Sequence, residues 1–122
     1  MTEQHQSLTM TISRGIVAIY KDEFGRGPSR ARTFLDDDVL TVVLEDSLTG
    51  MESTLVAHGE EDVVNQMRDG FQAVTCNRMV ALVEQETGRS VKAFMSDHSV
   101  LPDYAVEVFV LEARGSSDSE PC

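Results

Sequence analysis

The sequence predicts an α+β domain: a four-stranded, mainly antiparallel sheet with helices packed on it. Three observations predict it. Two long segments carry apolar residues at helical period. Two pairs of β-forming segments are each split by a turn signal. The chain has 122 residues, the size of one domain.

Leu8, Ile12, Ile16, Ile19 and Tyr20 recur at helical spacing, with Ser7 placed as an N-cap, so a helix is expected over 7–24. Gly25 follows where a left-handed cap is favoured, and Gly27-Pro28 blocks continuation. Arg30–Leu35 alternates, Asp36-Asp37-Asp38 interrupts, and Val39–Leu44 is strongly β-forming, which reads as a hairpin turning on the acidic triplet. Thr49 and Glu52 have the spacing of a capping box, so a short helix should run from Gly50 to Ala57. Gly59 punctuates it. Glu60, Glu61 and Asp62 then place negative charge where the next helix exposes its N–H groups.

That helix is expected over 61–86, with Val63, Met67, Phe71, Val74, Val80 and Val83 tracing its core face. Gly70 inside it costs about 1 kcal/mol against Ala, which argues for a close packing approach there. Val91–Met95 is expected as a third strand, Ser96 to Asp103 as a loop, and Tyr104–Glu112 as a fourth strand. Residues 1–6 read as a polar N-terminus, 7–113 as one domain, and 114–122 as a disordered polar tail.

Strand two places Leu40, Val42 and Leu44 on one face and Val39 and Val43 on the other. In strand four Val106, Val108 and Val110 oppose Phe109 and Leu111. A sheet apolar on both faces needs both covered, by three helices of one chain or by a second subunit. The expectation is a homodimer.

Composition narrows function mainly by exclusion. Hydrophobic residues make up 41%, enough for one core, and no apolar run approaches the roughly 20 residues of a spanning helix. Met1 to Ser7 lacks the basic and apolar regions of a secretory signal, so a cytoplasmic protein is expected. A net charge of −11 and a pI near 4.5 argue against binding a phosphate backbone, and no aromatic platform for bases is present. Cys76 is expected as a buried thiol and Cys122 as an exposed tail thiol. There is no CxxC or HxxxH pattern, and consecutive Asp36, Asp37 and Asp38 in a tight turn point apart, unlike a calcium loop. No metal and no cofactor is expected.

The acidity is uneven. Arg14, Lys21, Arg26, Arg30 and Arg32 supply half of the 10 basic residues within one short segment.

Several segments together resemble a known family. They are Phe24-Gly25-Arg26-Gly27-Pro28; the hairpin strand Val39–Leu44; Leu48-Thr49 with Glu52 and Leu55; and Met67-Arg68 with Phe71. Val83-Glu84 with Thr87-Gly88-Arg89 and Val91, and then Val106-Glu107-Val108-Phe109-Val110-Leu111, complete the series. In order and spacing this is similar to the MpsC-like family over residues 8–112. The family is named for a proposed sodium-translocating, membrane-potential-generating system, with companions linked to bicarbonate or cation transport. The resemblance implies a soluble accessory of a membrane system and carries over no catalytic residues. So hydrophilic a chain cannot itself translocate an ion.

The Gly25–Pro28 loop has two readings. One is a helix stop and turn. The other is an anion or partner site, with loop N–H groups beside Arg26, Arg30 and Arg32. It is no Walker loop, because no Gly-Lys-Ser/Thr opens a helix. Arg68 sits beside the Met67/Phe71 face, where a buried ion pair with Glu52 or Glu61 is expected. Asp97-His98, with Asp103 nearby, has the composition of a general base and its orienting acid, without an identifiable Ser or Cys nucleophile.

The sequence therefore favours a non-enzymatic accessory or regulatory domain. It would bind a protein partner or small anion through Arg26, Gly27, Pro28, Arg30 and Arg32, with Arg68 as a further binding residue. The competing reading is an enzyme acting on a small anionic substrate through Asp97 and His98 with an Arg.

Overall fold

The computed structural model describes residues 3–113 and 121–122. The elements are α1 (Glu3–Phe24), β1 (Arg30–Asp36), β2 (Val39–Glu45), α2 (Gly50–Ala57), α3 (Glu61–Thr87), β3 (Val91–Val100) and β4 (Asp103–Leu111). The class and the order of elements are those the sequence predicts.

The four strands form one sheet in the order β1-β2-β4-β3, with every neighbouring pair antiparallel. Asp36 pairs with Val39, so the first hairpin turns on Asp37 and Asp38 alone, with Asp37 at φ 55°. The second hairpin turns on Leu101-Pro102, whose peptide bond is cis.

Strand alternation separates the faces. Leu40, Val42, Leu44, Ala105, Phe109 and Leu111 point to an inner face and are buried there with Ile12, Ile16, Met79 and Val83. α1 lies against β1 and α3, and α3 lies against β3. Each fully buried side chain of this size contributes about 1.5–3 kcal/mol. Gly15 lets α1 receive Leu82 of α3, since a Cβ there would lie 2.6 Å from Leu82 Cδ2.

The local signals that shaped this arrangement are readable. Thr49 Oγ1 accepts from Glu52 N–H and the Glu52 carboxylate accepts from Thr49 N–H, the reciprocal capping box. Gly25 has φ 86°, a left-handed conformation that a residue with a Cβ adopts at a cost, and its N–H closes on the Lys21 carbonyl.

Five expectations are corrected. α1 begins at Glu3, so Ser7 lies inside the helix, its carbonyl accepting from Thr11 Oγ1, instead of capping it. The buried face of α3 runs through Val64, Arg68, Thr75, Met79 and Val83, while Val63 and Val74 are exposed. The buried polar residues Arg68 and Thr75 disguised that stripe. A Cβ at Gly70 would meet nothing within 4 Å, so no close approach explains it. β3 continues to Val100, and Asp97 and His98 stand on a strand where a loop was expected. Cys76 and Cys122 are joined in a disulfide across 46 residues, where two separate thiols were expected. No local spacing announces a bond between a helix and the last residue. The rest of the expected tail, 114–120, lies outside the described residues.

Candidate functional site

Two regions collect the polar chemistry. One is a buried network between the helices and the inner face of the sheet. The other is the outer face with its arginine-bearing edge.

The network begins at the capping box. Glu52 is buried, and its carboxylate accepts from Arg68 Nε at 2.7 Å and from Arg68 Nη2 at 2.5 Å. Arg68 Nη2 also donates to the Ser47 carbonyl at 2.8 Å, and the guanidinium stacks 4.4 Å from the centre of the Phe24 ring. Burial alone would raise the Glu52 carboxyl. The hydrogen bonds and charge of Arg68, with Thr49, outweigh it and hold the group below its usual range. Arg68 thus makes the buried ion pair that the sequence suggests, with Glu52 as its partner.

Glu107 was not singled out by the sequence reading, although its place is legible. It is a carboxylate at an inner-face position of a strand of Val and Phe. Its Oε1 accepts from the Tyr20 hydroxyl at 2.7 Å, and its Oε2 has no hydrogen-bond partner. Burial pushes its carboxyl up to about 7, against the opposing influence of the Ser96 and Tyr20 hydroxyls and the Arg68 charge. Burial and then the Glu107 charge raise the Tyr20 hydroxyl in turn, so it stays a donor.

Tyr20, Arg68, Ser96, His98 and Glu107 border a cavity of about 20 Å³. That volume admits about one water molecule. His98 Nε2 lies 2.8 Å from Asn65 Oδ1. Asp97 and His98 are successive strand residues, so their side chains leave opposite faces of the sheet. The Asp97 carboxylate accepts from His98 N–H at 2.8 Å. Asp103 serves a different purpose. Its carboxylate accepts from Leu48 N–H at 2.9 Å and fixes the chain between β2 and α2.

The sequence-marked arginines lie elsewhere. Arg26 pairs with Asp46 at 3.1 Å and donates to the Leu48 carbonyl. The hydrogen bond from Arg26, and then its charge, hold the Asp46 carboxyl below its usual range. Gly27 abuts α1, where a Cβ would lie 2.9 Å from Val17 Cγ1 and 3.1 Å from the Val17 carbonyl oxygen. Arg30 and Arg32 both approach the single carboxylate of Glu45, at 3.6 and 3.5 Å, and Arg32 Nε has no partner. The structure therefore brings Arg68 and His98 to one cavity. It gathers Arg30 and Arg32 on β1, with Arg26 and Pro28 in the preceding loop.

The outer face carries Val39, Thr41 and Val43 of β2 and Tyr104, Val106, Val108 and Val110 of β4, flanked by Phe34 of β1 and Met95 of β3. Phe34 and Met95 are each 53% exposed. Among the described residues no helix lies on this face.

The family model described as "Na+-translocating membrane potential-generating system (MpsC)" matches residues 4–113. The chain belongs to the MpsC family. No curated protein and no solved structure matches it. The MpsC match runs from α1 to just past β4 and so takes in the cavity, the arginines and the outer face together. The family description associates MpsC proteins with a membrane system that moves sodium ions. Among the described residues of this MpsC chain, no helix is long and apolar enough to cross a membrane.

Proposed function

We propose that this MpsC chain is a non-catalytic accessory domain of such a sodium-translocating system. It works as a homodimer held through the outer face of its sheet. Its arginine-bearing loop and edge, Arg26, Gly27, Pro28 and Arg30, are presented to an acidic segment of a protein partner or to a small anion. The observation that carries the reading is the outer face. Eight apolar residues from Phe34 to Val110, with Thr41 among them, form a surface that no element of the described chain covers. The largest contiguous apolar patch on a soluble domain is often an interaction site.

The chemistry inside the fold supports a binding role over catalysis. Arg68 is occupied by Glu52 and the Ser47 carbonyl, and the cavity beside it has room for about one water. Sedimentation equilibrium near 10 μM tests the reading. A species of about twice the 13.5 kDa chain mass is expected. A monomer at that concentration overturns it.

One observation favours an enzyme on a small anionic substrate: Arg68 and His98 border the same cavity. Under that reading the cavity has to open beyond the one-water volume it has here before phosphate binds, and His98→Ala abolishes the binding heat. Titration calorimetry without a heat of binding removes it.

A further inference from the structure

The register of the sheet says how a second copy would seat on the outer face. Four rows cross the sheet: Arg30-Glu45-Tyr104-Ser99, Arg32-Val43-Val106-Asp97, Phe34-Thr41-Val108-Met95 and Asp36-Val39-Val110-Ala93. Each row begins on edge strand β1 and ends on edge strand β3.

Within the second row the two edges carry opposite charge on the outer face. At the β1 edge Arg30 and Arg32 share the one Glu45 carboxylate, Arg32 Nε is without a partner, and the edge's own carboxylate, Asp36, stands two rows from Arg32. At the β3 edge Asp97 is exposed, and among the described residues no cation pairs with it. Arg32 and Asp97 stand at opposite ends of the same row.

We infer that two copies pack sheet to sheet about a two-fold axis that runs parallel to the strands, between β2 and β4. This inference rests on the homodimer reading above and specifies its geometry. Such an axis exchanges the two edges and keeps each row at its own height. Arg32 then faces Asp97 of the second copy, and Phe34 faces Met95 of the second copy. Val43 meets Val106, Thr41 meets Val108, and Val39 meets Val110. Every such contact occurs twice, as an isologous interface requires.

The other two-fold axis in the face, running across the strands, lays each edge on its own copy. It would seat Arg32, with its Glu45 partner, on Phe34 and would set Arg30 against Asp36, but it lays Asp97 on Met95 and buries that carboxylate without a cation. Only the axis parallel to the strands gives Asp97 a cation, and that selects it.

The size suits a weak, reversible dimer. Four strands and seven paired positions span roughly 19 by 24 Å. Together the two copies would bury about 900 Å², above most lattice contacts and in the range of weak or transient interfaces.

The experiment is a charge exchange read by sedimentation, with circular dichroism confirming the fold of each variant. Arg32→Asp and Asp97→Arg should each weaken the dimer about tenfold or more, since each sets like charges against each other at two symmetric places. The double variant R32D/D97R should return the dissociation constant to within about threefold of the parent. Mixing Phe34→Cys chains with Met95→Cys chains should yield the mixed cross-linked pair in preference to either self-pair. If the parent is a dimer but the double variant remains as weak as the single ones, this geometry is overturned and the homodimer reading survives. If the parent is a monomer, both fall. A dimer that cross-links F34C to F34C also refutes this axis.

Discussion

The two faces of the sheet are built from similar residues and meet different fates. Inner Leu40, Val42 and Leu44 are wholly buried under α1 and α3, whereas outer Val39, Val43, Val106, Val108 and Val110 keep part of their surface open. The inner face also accepts charge, because Glu107 and the Glu52–Arg68 pair find partners there. The outer face keeps its charges on the edge strands and at Glu45, the last residue of β2. Apolar strands alone therefore do not show which face of a sheet is finished. What decides is whether an element of the same chain reaches it.

The largest effect should come from the inner network. Arg68→Ala leaves Glu52 buried without its cation and should cost about 3–5 kcal/mol in urea unfolding. A loss below about 1 kcal/mol would mean that the pair is not held as described.

Next comes Glu107. Its folded carboxyl titrates at about 7 against an ordinary 4.5, so between those values the folded chain keeps a proton that the unfolded chain has released. Stability should therefore be highest near the lower value, fall as pH rises towards 7, and level off above it, by about 3 kcal/mol at most. Glu52 acts in the opposite sense, losing its contribution as pH falls through its lowered value. Glu107→Gln should flatten the decline between pH 4.5 and 7 in a series of thermal melts. An unchanged slope would assign the decline to other groups.

A substitution on the outer face should separate assembly from folding. Phe34→Ser should shift the unfolding free energy of the isolated chain by no more than about 0.5 kcal/mol, because the side chain is already open. The same change should weaken the dimer in sedimentation. A large loss of intrinsic stability would place Phe34 in the core.

A similarly small effect tests a helix position. Gly70→Ala should stabilise the chain by about 0.5–1 kcal/mol, since nothing crowds the site. A destabilised variant would reveal a contact that the geometry lacks.

Much of this fold was legible in the sequence because its signals are local. Gly25 at the end of α1, the Asp37-Asp38 turn, and Thr49 with Glu52 each act within a few residues. The two-sided apolar strands were legible for the same reason, since alternation is a property of one strand. What failed depends on distant partners. Arg68 and Thr75 lie on the buried stripe of α3 because Glu52 and the helix carbonyls satisfy them, so Val63, Met67 and Val74 pointed one position away, while Val80 and Val83 stand on the buried face as expected. Ser96 and His98 broke the apolar pattern of β3 because the inner face there borders a polar cavity, and the strand read as a loop. The site was only half legible. Arg68 was visible, but the Tyr20–Glu107 bond joins residues 87 positions apart.

The central claim is that a second copy covers the outer face, and methyl NMR with a soluble paramagnetic probe tests it most directly. At a concentration where the dimer dominates, the methyls of Val43, Val106 and Val108 should be nearly as protected as those of inner Val42 and Leu44, and dilution should expose them. Strong, concentration-independent relaxation of the outer valines beside protected inner ones would contradict the account.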